Sequence, residues 1–218
     1  MNIVVFTEGK TDRKVYKAWI PFVNNQITSV DRIEEVSHDN YALILGYGYP
    51  SYFHDISAVI QQVNSHGNID RLVICIDSED KTLSEKRQEM TTFLSTESCN
   101  SCVFVVYQHF CLETWALANR NVCPANTNHQ SFQTFKRFFN VLTHDPENLP
   151  AYPLKNWNRS QFAATYLKAM LQASNTHSTY NKPNPTPLLN RKYFQEVLLR
   201  HTSTSHIPSF AFFLNAFV

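Results

Sequence analysis

The sequence predicts an α/β fold, in which helices flank a Rossmann-like parallel β-sheet and a helical C-terminal extension follows. Three observations support this prediction. Short apolar, β-branched runs recur in the first half of the chain, segments with helical apolar spacing alternate with them, and these runs stop after about residue 125. Such alternation is typical of a parallel sheet covered by its crossover helices. We therefore expect an α/β domain at 1–125 and a helical extension packed on it at 126–218.

Composition indicates an ordinary globular chain. Its 218 residues are enough for one well-buried core, and an apolar fraction of 43% with 16 phenylalanines makes disorder improbable. A net charge of +1 excludes a protein whose whole surface is a polycation, so any contact with nucleic acid must be local. No apolar run reaches the roughly 20 residues of a membrane span. We expect a cytoplasmic, soluble protein without membrane contact.

The spacing of apolar residues along the sequence predicts the strands and helices. Runs such as NIVVFT and RLVICID indicate strands that are buried on both faces, whereas apolar residues three and four apart indicate helices. Strands are predicted at 2–7, 31–36, 41–45, 71–77 and 102–108. Helices are predicted at 11–22, 51–65 and 81–96 in the first part, and at 129–143, 159–173 and 190–200 in the second. The apolar tail at 209–218 is expected to dock into the core or against a partner, which suggests a homo-oligomer.

Acidic residues follow two of the most apolar strands. Glu8 comes after the first strand, and Asp77, Glu79 and Asp80 come after RLVICI. Functional groups of open parallel sheets gather at the carboxyl ends of strands, so these acids are expected at one edge. Carboxylates held together repel unless a cation lies between them, and Mg²⁺ or Mn²⁺ prefers such oxygen ligands. The alternative is that Asp12 and Asp77 only cap local structure.

These residues resemble the Toprim family. The segment E-G-K-T-D, from Glu8 to Asp12, fits the family's first motif, and Asp77-Ser78-Glu79 stands where the family usually has D-x-D. The segment HFCLETWALAN, with Glu113 and Trp115, is similar to the one that follows the last sheet strand in small Toprim-like proteins. The resemblance covers about 1–120. The family includes topoisomerases, bacterial primases and the nucleases of the OLD and related anti-phage groups.

The resemblance implies a metal-dependent endonuclease, a hydrolase that cleaves phosphodiester bonds in DNA or RNA. Glu8, Asp77 and Glu79 would hold one or two divalent ions, Mg²⁺ or Mn²⁺, and Glu113 could complete the second position. Glu8 could instead act as general acid or base. The candidate phosphate contacts are Lys10, Lys14 and Lys81, for which solvated surface lysine is the alternative. His109 could transfer a proton or have a structural role. The loop GYGYP at 46–50 could contact phosphate through its backbone or simply close the strand with a turn.

Other functions stay open. A Toprim-like scaffold could bind a partner without catalysis, as a subunit or sensor. A topoisomerase would need a nucleophilic tyrosine on a separate domain, and a primase remains a further enzymatic alternative. The pair Cys99 and Cys102 lacks the second pair that a zinc site needs. The resemblance further suggests an effector of bacterial anti-phage defence, since such effectors commonly work beside an ATPase. The ATPase would be a separate partner, because this sequence contains no G-x-x-x-x-G-K-[ST] motif.

Overall fold

The structure, a computed structural model, describes residues 1–174 and 180–218. The strands are β1 (Ile3–Thr7), β2 (Thr28–Val30), β3 (Asn40–Leu45), β4 (Arg71–Asp77) and β5 (Cys102–Gln108). The helices are α1 (Lys10–Val23), α2 (Tyr52–His66), α3 (Leu83–Leu94), α4 (Leu112–Ala116), α5 (Gln130–Phe138), α6 (Arg159–Ser174), α7 (Arg191–Thr204) and α8 (Phe210–Ala216). Four single-turn 3-10 helices lie in the loops of these described residues.

A five-stranded parallel sheet organises the first part of the chain, which confirms the predicted α/β class. The strand order is β2-β3-β1-β4-β5, and helices flank the sheet. The central strand β1 pairs with β3 from Ile3↔Tyr41 and with β4 from Ile3↔Arg71. Every residue of β1 is buried, because a central strand of a parallel sheet is covered on both faces. The apolar runs thus became the strands that the sequence predicted at 2–7, 41–45, 71–77 and 102–108.

The strand predicted at 31–36 is wrong. The second strand lies earlier, at Thr28–Val30, and Ile33–Glu35 forms a 3-10 helix instead. β2 is a short edge strand whose side chains are mostly exposed, so it carries no apolar run. Ile33 and Val36 are both buried, and their three-residue spacing suits one turn of 3-10 helix.

Helix boundaries differ from the expected ones chiefly at three places. α7 continues to Thr204 instead of ending at residue 200. α3 begins at Leu83, because Thr82 caps it through a reciprocal capping box with Glu85, so Lys81 precedes the helix. α5 ends at Phe138 instead of continuing to residue 143. In the part of the chain that the structure describes, no helix is both long and apolar enough to cross a membrane.

The described residues divide into two compact units. The first comprises 1–76, 82–107 and 211–218, and the second comprises 77–81 and 108–210. This division differs from the boundary expected near residue 125. The segment after β5 joins the second unit because its helix α4 packs against α6. The first unit contains the sheet except for Asp77 and Gln108, the last residues of β4 and β5, and the second contains the loop that follows β4.

The apolar C-terminal tail docks within the first unit. The Phe213 ring lies 4.9 Å from that of Tyr16 and 6.2 Å from that of Trp19, centroid to centroid. The Arg71 guanidinium donates to the carbonyl oxygen of Ala216 at 2.6 Å. Packing on its own unit, one of the two alternatives that the sequence left open for this segment, is therefore present in the structure.

Candidate functional site

Glu8 lies directly after β1 and is held from two sides within the first unit. Its side chain is 9% exposed, and its Oε1 accepts a hydrogen bond from the backbone N–H of Tyr49 at 3.2 Å. Its own N–H donates to the Cys75 carbonyl on β4 at 3.2 Å. The loop at 46–50 thus meets this carboxylate through its backbone. A buried carboxylate in a fixed position is a suitable metal ligand or proton acceptor.

Close packing explains the glycine of the E-G-x-x-D segment. Gly9 is the N-cap of α1 in an extended conformation, and a Cβ there would lie 2.9 Å from Oδ2 of Asp12. Asp12 is in the first turn of α1 and is 8% exposed. The glycine therefore leaves room for a buried carboxylate one turn from Glu8, at the helix N-terminus where negative charge is favoured.

A buried lysine that the sequence analysis missed lies near the 46–50 loop. Lys86 of α3 is 2% exposed, and its Nζ donates to the Tyr52 hydroxyl at 2.7 Å and lies 3.0 Å from a carboxylate oxygen of Glu89. It also lies 5.2 Å from the ring centroid of Tyr49, whose N–H binds Glu8. The signal was present in the sequence, because Lys86 falls on the apolar stripe of α3, three residues after Leu83.

The order of the sheet defines its switch point. From β1 the chain continues to β2 and β3 on one side, whereas from β4 it continues to β5 on the other. β1 and β4 are neighbours, and in such sheets ligands bind outside the carboxyl ends of strands where the connections diverge. Glu8 follows one of these two strands, and Asp77 is the last residue of the other.

The loop after β4 is fixed within the second unit. The N–H of Ser78 donates to the carbonyl of Gln108 at 2.9 Å, and that of Glu79 donates to Phe110 at 3.0 Å. Glu79 has a positive φ of 55°, which is uncommon for a residue other than glycine. Asp80 accepts the backbone N–H of Arg159 at 3.0 Å. These bonds fix the D-x-E loop within the second unit, and Glu79 lines a cavity of about 500 Å³.

His109 pairs with the middle residue of this loop. Its Nδ1 lies 2.9 Å from Oγ of the fully buried Ser78. Burial, and then the positive charge of Arg159, lower the pKa of His109 to about 4, so the imidazole is neutral at pH 7. A group with so low a pKa is a weak base at that pH, and the contact with Ser78 favours the structural role among the two that the sequence left open.

Glu113 is buried in α4 and bonded to a distant tyrosine. It is 2% exposed, and its Oε1 accepts from the Tyr180 hydroxyl at 2.6 Å. Burial, followed by the negative charges of Glu113 and Asp77, raises the pKa of the Cys111 thiol. Two of the predicted acids of the second unit therefore act electrostatically on one buried thiol.

The candidate phosphate contacts belong to different compact units. Lys10 and Lys14 are exposed on α1 in the first unit, whereas Lys81 belongs to the second unit and its backbone N–H bonds to the Ser78 carbonyl. Cys99 and Cys102 are both free thiols in the first unit. Across residues 1–174 and 180–218, no three His, Cys, Asp or Glu side chains are grouped so that they could hold a metal ion.

Compared with known proteins, the chain matches no family model, no curated protein and no solved structure.

Proposed function

We propose that this protein is a divalent-metal-dependent endonuclease of the Toprim type, in which Glu8, Asp77, Glu79 and Glu113 are the active carboxylates. One observation carries the proposal: acids follow the two neighbouring strands, β1 and β4, that form the switch point of the sheet. That edge is where open parallel sheets bind their ligands. The burial of Glu8 and its bond from Tyr49 support the same role, because an acid held in position at a strand end suits catalysis.

The donor set fits a hard cation in its chemistry. All four candidate residues are carboxylates, and such oxygens are the ligands of Mg²⁺ and Mn²⁺ rather than of softer metals. A bound divalent ion would polarise the phosphoryl oxygen and activate water for attack on phosphorus. The chain's own residues position the carboxylates: Tyr49 through its N–H for Glu8, and Tyr180 through its hydroxyl for Glu113.

A cleavage assay tests the proposal. Purified protein is incubated with DNA and, separately, RNA in the presence of Mg²⁺ or Mn²⁺, and fragments are resolved on denaturing gels. We expect metal-dependent cleavage that Glu8→Gln and Asp77→Asn each reduce by at least 100-fold, about 3 kcal/mol of transition-state stabilisation. Glu34→Gln is the matched control, since Glu34 is an exposed glutamate of the first unit. Cleavage that persists in both active-site variants would refute the proposal.

The partner forms part of the proposal. An effector without its own ATPase motif would act beside an ATPase sensor in anti-phage defence, so the assay is repeated with the product of the neighbouring gene. We expect cleavage by the wild type either alone or with that partner. The absence of cleavage in both arms, with both metals and both nucleic acids, would leave the catalytic proposal without support.

A second function is favoured by one contact. The bond of 2.6 Å from Tyr180 engages an oxygen of Glu113, as in a carboxylate that only stabilises its fold. In that case the protein would be a non-catalytic Toprim-like subunit that binds an ATPase partner or another protein. Such a subunit would cleave nothing, and Glu8→Gln would bind its partner as well as the wild type does. A nuclease would lose cleavage in Glu8→Gln.

A further inference from the structure

We propose that a groove along α6 in the second unit binds single-stranded nucleic acid, with a base stacked on Trp157 and phosphates at Lys155, Lys168 and Lys182. The inference rests on the proposed function, because it names the form of nucleic acid that would reach Glu79. We call this feature the α6 groove. It is lined by residues of the second unit alone.

Two adjoining cavities make up the α6 groove. One, of about 500 Å³, is lined by Glu79 and Lys182, and the other, of about 390 Å³, is lined by Lys155 and Lys168. They share Trp157 and Thr165, so they adjoin at these two side chains. The groove therefore runs from a candidate catalytic carboxylate, past an aromatic ring, to a pair of lysines.

Trp157 is held in a fixed position. Its ring centroid lies 5.8 Å from that of Tyr152 and 6.3 Å from that of Phe135, which it meets edge to face. An antiparallel bridge joins Tyr152 and Trp157, and the turn between them contains Asn156 in the left-handed conformation. Half-buried and packed in this way, the indole loses little entropy when a base stacks on it. Stacking of bases on aromatic side chains is the usual way in which proteins hold single strands.

Charge complements a phosphate backbone. Lys155 and Lys168 are exposed, and the described residues that line their cavity include no aspartate or glutamate. Residues 77–81 and 108–210 contain eleven lysines and arginines against seven acids, although the whole chain is nearly neutral. Two of those acids, Glu113 and Glu147, are at least 94% buried, which makes the surface of the unit more positive still. Local positive charge of this kind attracts polyanions.

A single strand fits better than a duplex. A base offers its flat face to a side chain only when it is unstacked from its neighbours, and bases in a duplex are stacked and paired. Trp157 lines both cavities, where a splayed base could enter and meet the indole. The α6 groove would therefore select unpaired segments, loops or ends.

Intrinsic fluorescence gives a direct test, because Trp19 and Trp115 are 0% exposed and Trp157 is half-buried. Single-stranded DNA and RNA 12-mers, and the matching duplexes, are titrated into the full chain in buffer with EDTA, so that binding is measured without cleavage. We expect saturable quenching by single strands and at least tenfold weaker binding of duplexes. Trp157→Phe should abolish the quenching while anisotropy of labelled strands still reports binding. Trp157→Ala should weaken binding by about 5- to 150-fold.

The lysines provide a second test that does not disturb aromatic packing. In the double variant Lys155→Ala and Lys168→Ala, the slope of log K against log salt should fall by about 1.4, since each single-strand phosphate contact contributes about 0.7. Lys192→Ala is the matched control, because Lys192 is an exposed lysine of the same unit on α7. It should change neither the slope nor the affinity.

The failures of the two proposals are distinguishable. If the Trp157 and lysine variants bind and cut as the wild type does while Glu8→Gln is inactive, the α6 groove proposal is overturned and the nuclease stands. Quenching that persists in Trp157→Phe, or duplexes that bind as tightly as single strands, would overturn it as well. Binding that depends on Trp157 in a protein that cleaves nothing would support the groove and refute the nuclease.

Discussion

The wild type should lose free energy of unfolding as pH rises from 5 to 8, and Glu147→Gln should lose much less. Glu147 lies in the 3-10 helix Pro146–Asn148 and is 6% exposed, and it accepts hydrogen bonds from the N–H of Ser209 at 3.0 Å and from its Oγ at 2.5 Å. Burial raises the pKa of Glu147 from 4.5 to about 8, against the opposing effect of those bonds. The folded protein therefore holds a proton that the unfolded chain has released at neutral pH.

The sign and size follow by linkage. Because the folded pKa is raised, the stabilisation from Glu147 is complete below about pH 4.5 and is lost as pH rises through 8. A shift of this size corresponds to an upper value of about 5 kcal/mol, and relaxation around the ionised group reduces it to about 2–5 kcal/mol. Glutamine keeps an oxygen that accepts from Ser209 and has no charge to bury.

Urea denaturation followed by circular dichroism at pH 5 and pH 8 measures the effect. The wild type should lose about 2–3 kcal/mol more of its free energy of unfolding between these pH values than Glu147→Gln does, because part of the full linkage energy lies below pH 5 and above pH 8. Glu34→Gln, an exposed glutamate, should behave as the wild type. Parallel pH profiles of the wild type and Glu147→Gln would refute the assignment of a buried, protonated carboxyl.

Three further substitutions test contacts of the candidate site. Gly9→Ala should force a local shift, because the new Cβ would lie 2.9 Å from Oδ2 of Asp12, and the shift would disturb the adjacent Glu8. Cleavage in the gel assay should fall, with less than about 1 kcal/mol lost from the free energy of unfolding; unchanged cleavage would contradict this. Lys86→Met should lower the free energy of unfolding by about 1–3 kcal/mol, because it removes a buried ammonium and its bond of 2.7 Å, and an unchanged urea midpoint would show that this bond contributes nothing. Tyr180→Phe should lower the free energy of unfolding by about 1–3 kcal/mol at pH 7, since a buried oxygen of Glu113 loses its hydrogen-bond donor. A stability equal to that of the wild type would count against that hydrogen bond.

The sequence predicted the strands that are continuous apolar runs. β1 and most of β4 are buried, as expected for central strands of a parallel sheet, and the edge strand β5 kept an apolar run although only its last three residues are buried. β2 escaped because an exposed edge strand of three residues has no hydrophobic signature. The division into units was not predicted, because residues 77–81 and 211–218 each belong to a different unit from the residues that precede them in sequence. Their contacts are long-range, and no local hydrophobic period encodes them.

The candidate site was predictable to the same extent. Glu8 and Asp77 became candidates because each stands at the end of an apolar strand, and Lys86 was detectable as a charge on an apolar helical stripe. Tyr180 was not detectable, since it reaches Glu113 across 67 residues of sequence. Trp157 was likewise not detectable, because the role proposed for it depends on two cavities that exist only once α6 and the turn before it have folded.

Metal binding tests the central claim most directly. Mn²⁺ is titrated by calorimetry into the wild type, Glu8→Gln, Asp77→Asn and the control Glu34→Gln. The account predicts saturable binding by the wild type and the control, with affinity at least tenfold lower in each of the other two variants. Equal heats for all four proteins would contradict it.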